Sequence, residues 1–266
     1  MHVIDRREAL KSLGVGTVSA WFGGLTLSSS SLAQAHTGNS TAKPFPLRDV
    51  RLLESEFSAA QARNARYLSD LDADRLLHNF RVNAGLEPKA PVYGGWESQE
   101  PWVDIRCHGH TLGHYLSACS MHYAATGDET FKARVDYVVA ELAECQKAGK
   151  TGLVCAFPDG AEQLERSLRG EEFAGVPWYT MHKVYAGLRD AHVLANSELA
   201  LEVLVGLSDW AWRVTEPLSD AQMQRLLDRE HGGMNEILAD VHVLTNDPKY
   251  LRLAERFSHR ALLDPL

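Results

Sequence analysis

The sequence predicts an all-α protein whose helices pair into hairpins arranged in two concentric layers, as in an (α/α) toroid. Three observations carry this. First, a helix–turn–helix unit recurs three times, with the turns Thr126-Gly127-Asp128, Ala195-Asn196-Ser197 and Thr245-Asn246-Asp247-Pro248 in the same place in each unit. Each turn supplies a residue tolerant of left-handed backbone and then a helix N-cap. Second, the first helix of each unit is apolar on most sides and the second carries a charged stripe, the signatures of a buried and a solvent-facing helix. Third, the loops richest in His, Trp and Gly precede first helices, so in a toroid they gather at one end around one pocket.

In chain order, residues 1–35 read as a twin-arginine-type export signal. Arg6-Arg7 stand together, Leu13 to Leu27 is moderately apolar, and Ala33-Gln34-Ala35 has the form of a cleavage site. The apolar stretch is too short and too weak for a good membrane span. Residues 36–46 form a polar linker, and 47–266 the helical domain. Leu47 to Leu53 reads as a strand or an extended lead-in, and Ser55 through Leu77 as one long helix. Asn79 to Asp104 reads as an irregular Gly/Pro loop carrying Tyr93, Trp96 and Trp102, which suit either a wall for sugar rings or loop anchors. The hairpins follow: Gly109–Ala125 with Thr130–Gly149, Thr180–Leu194 with a helix reaching Val214, and Met234–Leu244 with Tyr250–Leu262.

Of 266 residues, 45% are hydrophobic and 23% charged, and the formal net charge is -8. The chain is long enough for a substantial core, and its acidity argues against general nucleic-acid binding. Cys107, Cys119, Cys145 and Cys155 contain no CxxC pair, which argues against a zinc ribbon and for scattered buried thiols; one disulfide stays open if the protein is exported.

The densest cluster of chemistry is Arg229-Glu230-His231-Gly232-Gly233-Met234-Asn235-Glu236. The glycine pair ends any incoming helix, and the helix that follows starts with Glu236 in its first turn. The turn suits a ligand-facing loop, and it suits a capped helix N-terminus equally. His110, His114 and His182 lie at the loop ends of the first helices, and Trp178 just precedes His182. A histidine on an inner helix also has the plainer role of a hydrogen-bonded core residue.

Three motifs, Gly113-His114-Tyr115-Leu116-Ser117-Ala118, Trp178-Tyr179-Thr180-Met181-His182-Lys183-Val184-Tyr185-Ala186-Gly187-Leu188 and Glu230-His231-Gly232-Gly233-Met234-Asn235-Glu236, are similar to the catalytic domain of the β-L-arabinofuranosidases of glycoside hydrolase families 127 and 146. The resemblance implies a six-hairpin (α/α) toroid, of which this chain holds about half. It implies a zinc-bound cysteine nucleophile and a glutamate acid/base, in the half that this chain lacks. Zinc is thus expected for the full-length family, with no ligand assigned here. It implies sugar-contacting positions at His182, Glu236 and His231, with His110, His114 and Trp178 as further candidates by placement. The expected partner is an L-arabinose-containing oligosaccharide or plant glycan, and the expected location is periplasmic or secreted. Two rival readings stand beside a truncated hydrolase. One is a non-catalytic carbohydrate-binding or assembly protein, and the other a lyase or epimerase using His182 and Tyr185 as acid and base.

Overall fold

A computed structural model describes residues 45–98, 107–157, 159–172, 175–230 and 232–265. The segments expected to be an export signal and most of the linker lie outside the described residues. All regular structure among those residues is helical. The helices are α1 (Glu56–Asp70), α2 (Ala73–Asn83), α3 (His110–Thr126), α4 (Glu129–Gly149), α5 (Gly160–Arg169), α6 (Pro177–Ala195), α7 (Glu198–Thr215), α8 (Asp220–Leu227), α9 (Met234–Thr245), α10 (Pro248–Arg256) and the single turn α11 (Arg260–Leu263).

The three hairpins are α3–α4, α6–α7 and α9–α10, and they pack side by side. The first helices adjoin in the order α3, α6, α9 and the second helices in the order α4, α7, α10, which gives two layers. The turns form as their residues dictate. Gly127, Asn196 and Asn246 take the left-handed conformation, at φ of 74°, 54° and 56°. Asp128, Ser197 and Asp247 then cap α4, α7 and α10 by accepting from Thr130, Ala200 and Lys249 backbone N–H groups. The second and third turns share a further clamp: His192 Nδ1 lies 3.2 Å from the Ser197 carbonyl, and His242 Nδ1 3.0 Å from that of Asp247.

The inner layer is drawn together by two glycines. A Cβ on Gly113 of α3 would lie 2.3 Å from the Lys183 carbonyl of α6, and one on Gly187 of α6 would lie 2.7 Å from the Gly113 oxygen. No side chain fits between these helices, so their backbones touch. Around this contact Leu112, Leu116, Val184, Tyr185 and Leu188 are sealed from solvent. Met121, Val193 and Val243, one on each inner helix, are exposed.

The structure departs from the sequence reading in four places. The single helix expected over Ser55–Leu77 is two, because Leu71 is extended and Asp72 caps a new helix through its contact with Asp74 N at 2.9 Å. Residues Leu47–Asp49 form a 3-10 turn, with no strand over Leu47–Leu53, before the chain leads irregularly into α1. The last helix stops at Arg256 and resumes only as α11. Two short helices, α5 and α8, were not anticipated; they pack on one another, each between an outer helix and the next inner one. The first two units therefore each have a third, short helix that leads the chain back to the inner layer.

Adding a Cβ at the α3–α6 crossing forces backbone apart. Gly113→Ala or Gly187→Ala should destabilise the chain by at least ~1–3 kcal/mol in a urea melt. Gly149→Ala, where the added Cβ meets nothing within 4 Å, should change stability little or raise it by up to ~1 kcal/mol through helix propensity.

Candidate functional site

Six helices cap themselves. α1, α2, α4, α7, α8 and α10 each begin on a Ser or Asp whose side chain accepts from its own first turn. The inner helices do not. Gly109, Val176 and Gly233 stand at the N-cap positions of α3, α6 and α9 and offer no side-chain acceptor. N–H groups at or just before their first turns are met by side chains from elsewhere. Buried Glu97 accepts from Gly109 N at 2.7 Å and Thr111 N at 3.0 Å. Half-buried Glu230 accepts from Trp178 N at 2.7 Å and Tyr179 N at 2.8 Å. His182 Nδ1 accepts from Gly233 N at 3.1 Å. That last bond fixes the tautomer: Nδ1 is an acceptor, so neutral His182 carries its proton on Nε2. Gly233 is required there, because a Cβ on it would lie 2.6 Å from the imidazole Cε1.

These contacts frame a cleft of about 750 Å³ walled by Trp96, His110, Val176, Tyr179, Glu230 and Gly232. The His110 ring lies 4.5 Å from that of His114, meets Trp96 edge-on at 5.6 Å and stacks on Tyr179 at 5.6 Å and 19°. The Tyr179 hydroxyl is 3.4 Å from His110 Nε2. Lys183 Nζ sits 4.8 Å above the Tyr179 ring. Burial, then the charges of His114 and Lys183, push His110 down to about 4. Burial, then Lys183 and His114, do the same to His182, and His114 is lowered by burial and by Lys183. At neutral pH the cluster is therefore three uncharged imidazoles around one ammonium. Glu230 moves the other way: burial raises it to about 7, against the two amides that favour its anion.

Sugar hydroxyls need neutral donors and acceptors beside apolar ring faces, and this surface offers both. A second cavity, about 710 Å³, lies at Asn83, Cys145, Cys155 and the start of α5. Its Asn83 amide is committed to the carbonyls of Cys155 and Phe157, and it holds none of the predicted site residues.

A family model described as "Beta-L-arabinofuranosidase, GH127 catalytic domain" matches residues 49–266. The chain belongs to that family. A solved GH127 β-L-arabinofuranosidase from Geobacillus stearothermophilus T6 is similar in fold, with a TM-score of 0.50 and 15% identity. The match covers 75% of this chain and 28% of that one, so this chain spans little more than a quarter of that structure's length. No curated protein sequence matches.

Within this GH127 segment the predicted residues fare differently. His110 and His114 touch, His114 lies in the electrostatic neighbourhood of His182, and all three sense Lys183. Glu236 is exposed in the first turn of α9, three residues beyond the glycine that binds His182. His231 and Trp102 lie outside the described residues. Trp178 corrects an expectation. It is fully buried, its indole N–H donates to Ser167 Oγ at 3.0 Å, and it stacks on Trp210, so it anchors α5 and α7 to α6 and does not face the cleft. Tyr185 is likewise sealed and donates to the Leu207 carbonyl at 2.9 Å, with its hydroxyl pKa raised by burial. It cannot serve as the acid or base of a lyase. The aromatic loop divides: Tyr93 is an anchor, accepting from Asp72 N and stacking under Arg75, while Trp96 is half-exposed at the cleft.

All four cysteines are buried free thiols, and burial raises the pKa of each. Among the described residues no three His, Cys, Asp or Glu side chains converge as a metal ion would require.

Sequence reasoning missed Glu97, Tyr179 and Lys183, and it gave Glu230 no role beyond its place in the glycine turn and the family motif. The two carboxylates cap helices from 12 to 52 residues away, which no local pattern announces.

The imidazole shifts carry a sign. His110 and His182 have folded pKa values near 4 against ~6.5 unfolded. Between these values the unfolded chain binds more protons, so stability falls as pH drops from 6.5 to 4. Glu230, raised to about 7, works oppositely over its own window, as one carboxyl against at least two imidazoles. The Tm of the parent should therefore fall more steeply between pH 6.5 and 4 than that of a His110→Gln/His182→Gln variant; parallel curves would contradict the assignment.

Proposed function

We propose that this chain is the N-terminal part of a glycoside hydrolase of the β-L-arabinofuranosidase type and that its cleft binds L-arabinofuranosyl residues of plant glycans. The observation that carries the reading is uncharged His110, set between Trp96 and Tyr179 in the cleft, with His114 against it and His182 next in the same uncharged corner. Family membership supports the hydrolase class. The Arg6-Arg7 leader supports export by the twin-arginine route to the periplasm or beyond.

In this reading the segment binds and orients. The half-exposed Trp96 indole takes the apolar C–H face of the sugar ring, and the neutral imidazoles and the Tyr179 hydroxyl take its hydroxyls. His182, with Nδ1 occupied by Gly233, presents Nε2–H as a donor.

Titration with p-nitrophenyl β-L-arabinofuranoside, followed by tryptophan fluorescence, should saturate. A β-D-xylopyranoside should bind at least about tenfold more weakly, the scale set by one or two lost buried hydrogen bonds. His182→Ala should remove the preference. Equal binding of both sugars, or a preference that survives His182→Ala, would contradict the sugar-facing assignment. Release of p-nitrophenol with and without added zinc separates hydrolysis from binding alone.

A further inference from the structure

Buried Glu97 and half-buried Glu230, beside the cleft, do something that neither a cap nor a catalytic acid requires. Glu97 grips the amides on either side of His110, those of Gly109 and Thr111. Glu230 grips the amide of Tyr179 and the one before it. Tyr179 and His110 are the residues that stack across the cleft, 5.6 Å between centroids, with oxygen and nitrogen 3.4 Å apart. Each partner of this pair is thus held by its own backbone amides, through a carboxylate reaching in from a neighbouring loop.

We propose that Glu97 and Glu230 are positioning residues of the cleft, which set the placement of His110 and Tyr179 and so fix one wall of the sugar-facing surface. The proposal rests on the cleft being that surface. Its test reads histidine and amide signals instead of sugar, so it stands or fails separately from arabinoside binding.

A carboxylate suits the task chemically. It is acceptor-only, and both oxygens of each group are used, one per amide. The isosteric amide keeps the volume but turns one oxygen into a donor aimed at another N–H. Helix N-termini also favour an anion on electrostatic grounds, so the grip is strongest when the group is charged. The chain around these carboxylates has been thinned to let them in. Gly109, at φ 93°, sits against Phe80, and Gly232 at φ 53° leaves no room for a Cβ beside Tyr179, which would lie 2.8 Å from its Cα. The neighbours of His110 are Trp96, His114, Tyr179 and Lys183. Tyr179 covers one face of the imidazole, so its withdrawal would admit water.

The experiment follows the ring-proton NMR signals of His110 through a pH titration in the unsubstituted chain, in Glu230→Gln and in Glu97→Gln. Glu141→Gln serves as a control that breaks the buried Arg81–Glu141 ion pair outside the cleft. Loosening either grip should raise the His110 midpoint from about 4 by about one unit or more, towards the exposed value. The control should lower Tm and leave the midpoint in place. An unchanged His110 titration in the folded glutamine variants, with only Tm reduced, overturns the proposal. The unsubstituted chain gives a second reading that needs no variant to fold. There the amide protons of Trp178 and Tyr179 should shift with the titration of the Glu230 carboxyl, and amide shifts independent of it overturn the proposal equally.

Discussion

The inner helices of this protein begin without a capping residue of their own, and the site is built from the way that deficit is met. A helix exposes unsatisfied N–H groups in its first turn, and leaving them buried and unpaired costs on the order of 1–3 kcal/mol each. The outer helices solve this locally with Ser or Asp. The inner helices solve it across the structure, with Glu97, Glu230 and His182 as acceptors. Glu97 and Glu230 tie loops at the cleft to helix ends, and His182 ties α6 to the start of α9. The cleft is therefore a by-product of helix termination: groups brought in to satisfy backbone amides lie beside the side chains that face the cavity.

This arrangement needs small residues, and they are where it needs them. Gly113 and Gly187 let α3 and α6 meet backbone to backbone, which sets His114 and His182 on adjoining helices. Gly233 lets α9 start directly on the His182 ring. A larger residue at any of these positions would separate the histidines by moving whole helices, since packed interiors do not deform locally. The electrostatics follow from the same closeness. Three imidazoles share a poorly hydrated corner with Lys183, so they stay neutral, and neutrality suits hydroxyl recognition better than charge would.

Much of the fold was legible because its signals are local. The turns at Gly127, Asn196 and Asn246 declare themselves through a left-handed residue followed by an N-cap, and the helices around them fell close to where periodicity put them. What was missed was of two kinds. The break at Leu71-Asp72 and helix α8 had local signatures, an N-cap aspartate and a Ser219–Gln222 capping box, but they are short and sit inside stretches that read plausibly as something longer or looser. The long-range caps had no local signature. Glu97 and Glu230 look like any loop carboxylate until the fold brings an amide pair to each. Trp178 shows the limit of residue type as evidence. An indole beside a histidine suits a sugar wall, yet Ser167, Trp210 and Phe257 claim it for the core.

The most direct test of this account is native-state hydrogen exchange at the Gly109, Thr111, Trp178, Tyr179 and Gly233 amides, each at or before the first turn of an inner helix. If side chains from neighbouring loops and from α6 satisfy them, these amides exchange only with global unfolding, as slowly as those in the middle of α6. Exchange at rates near those of unstructured chain would contradict it and leave the inner helices uncapped.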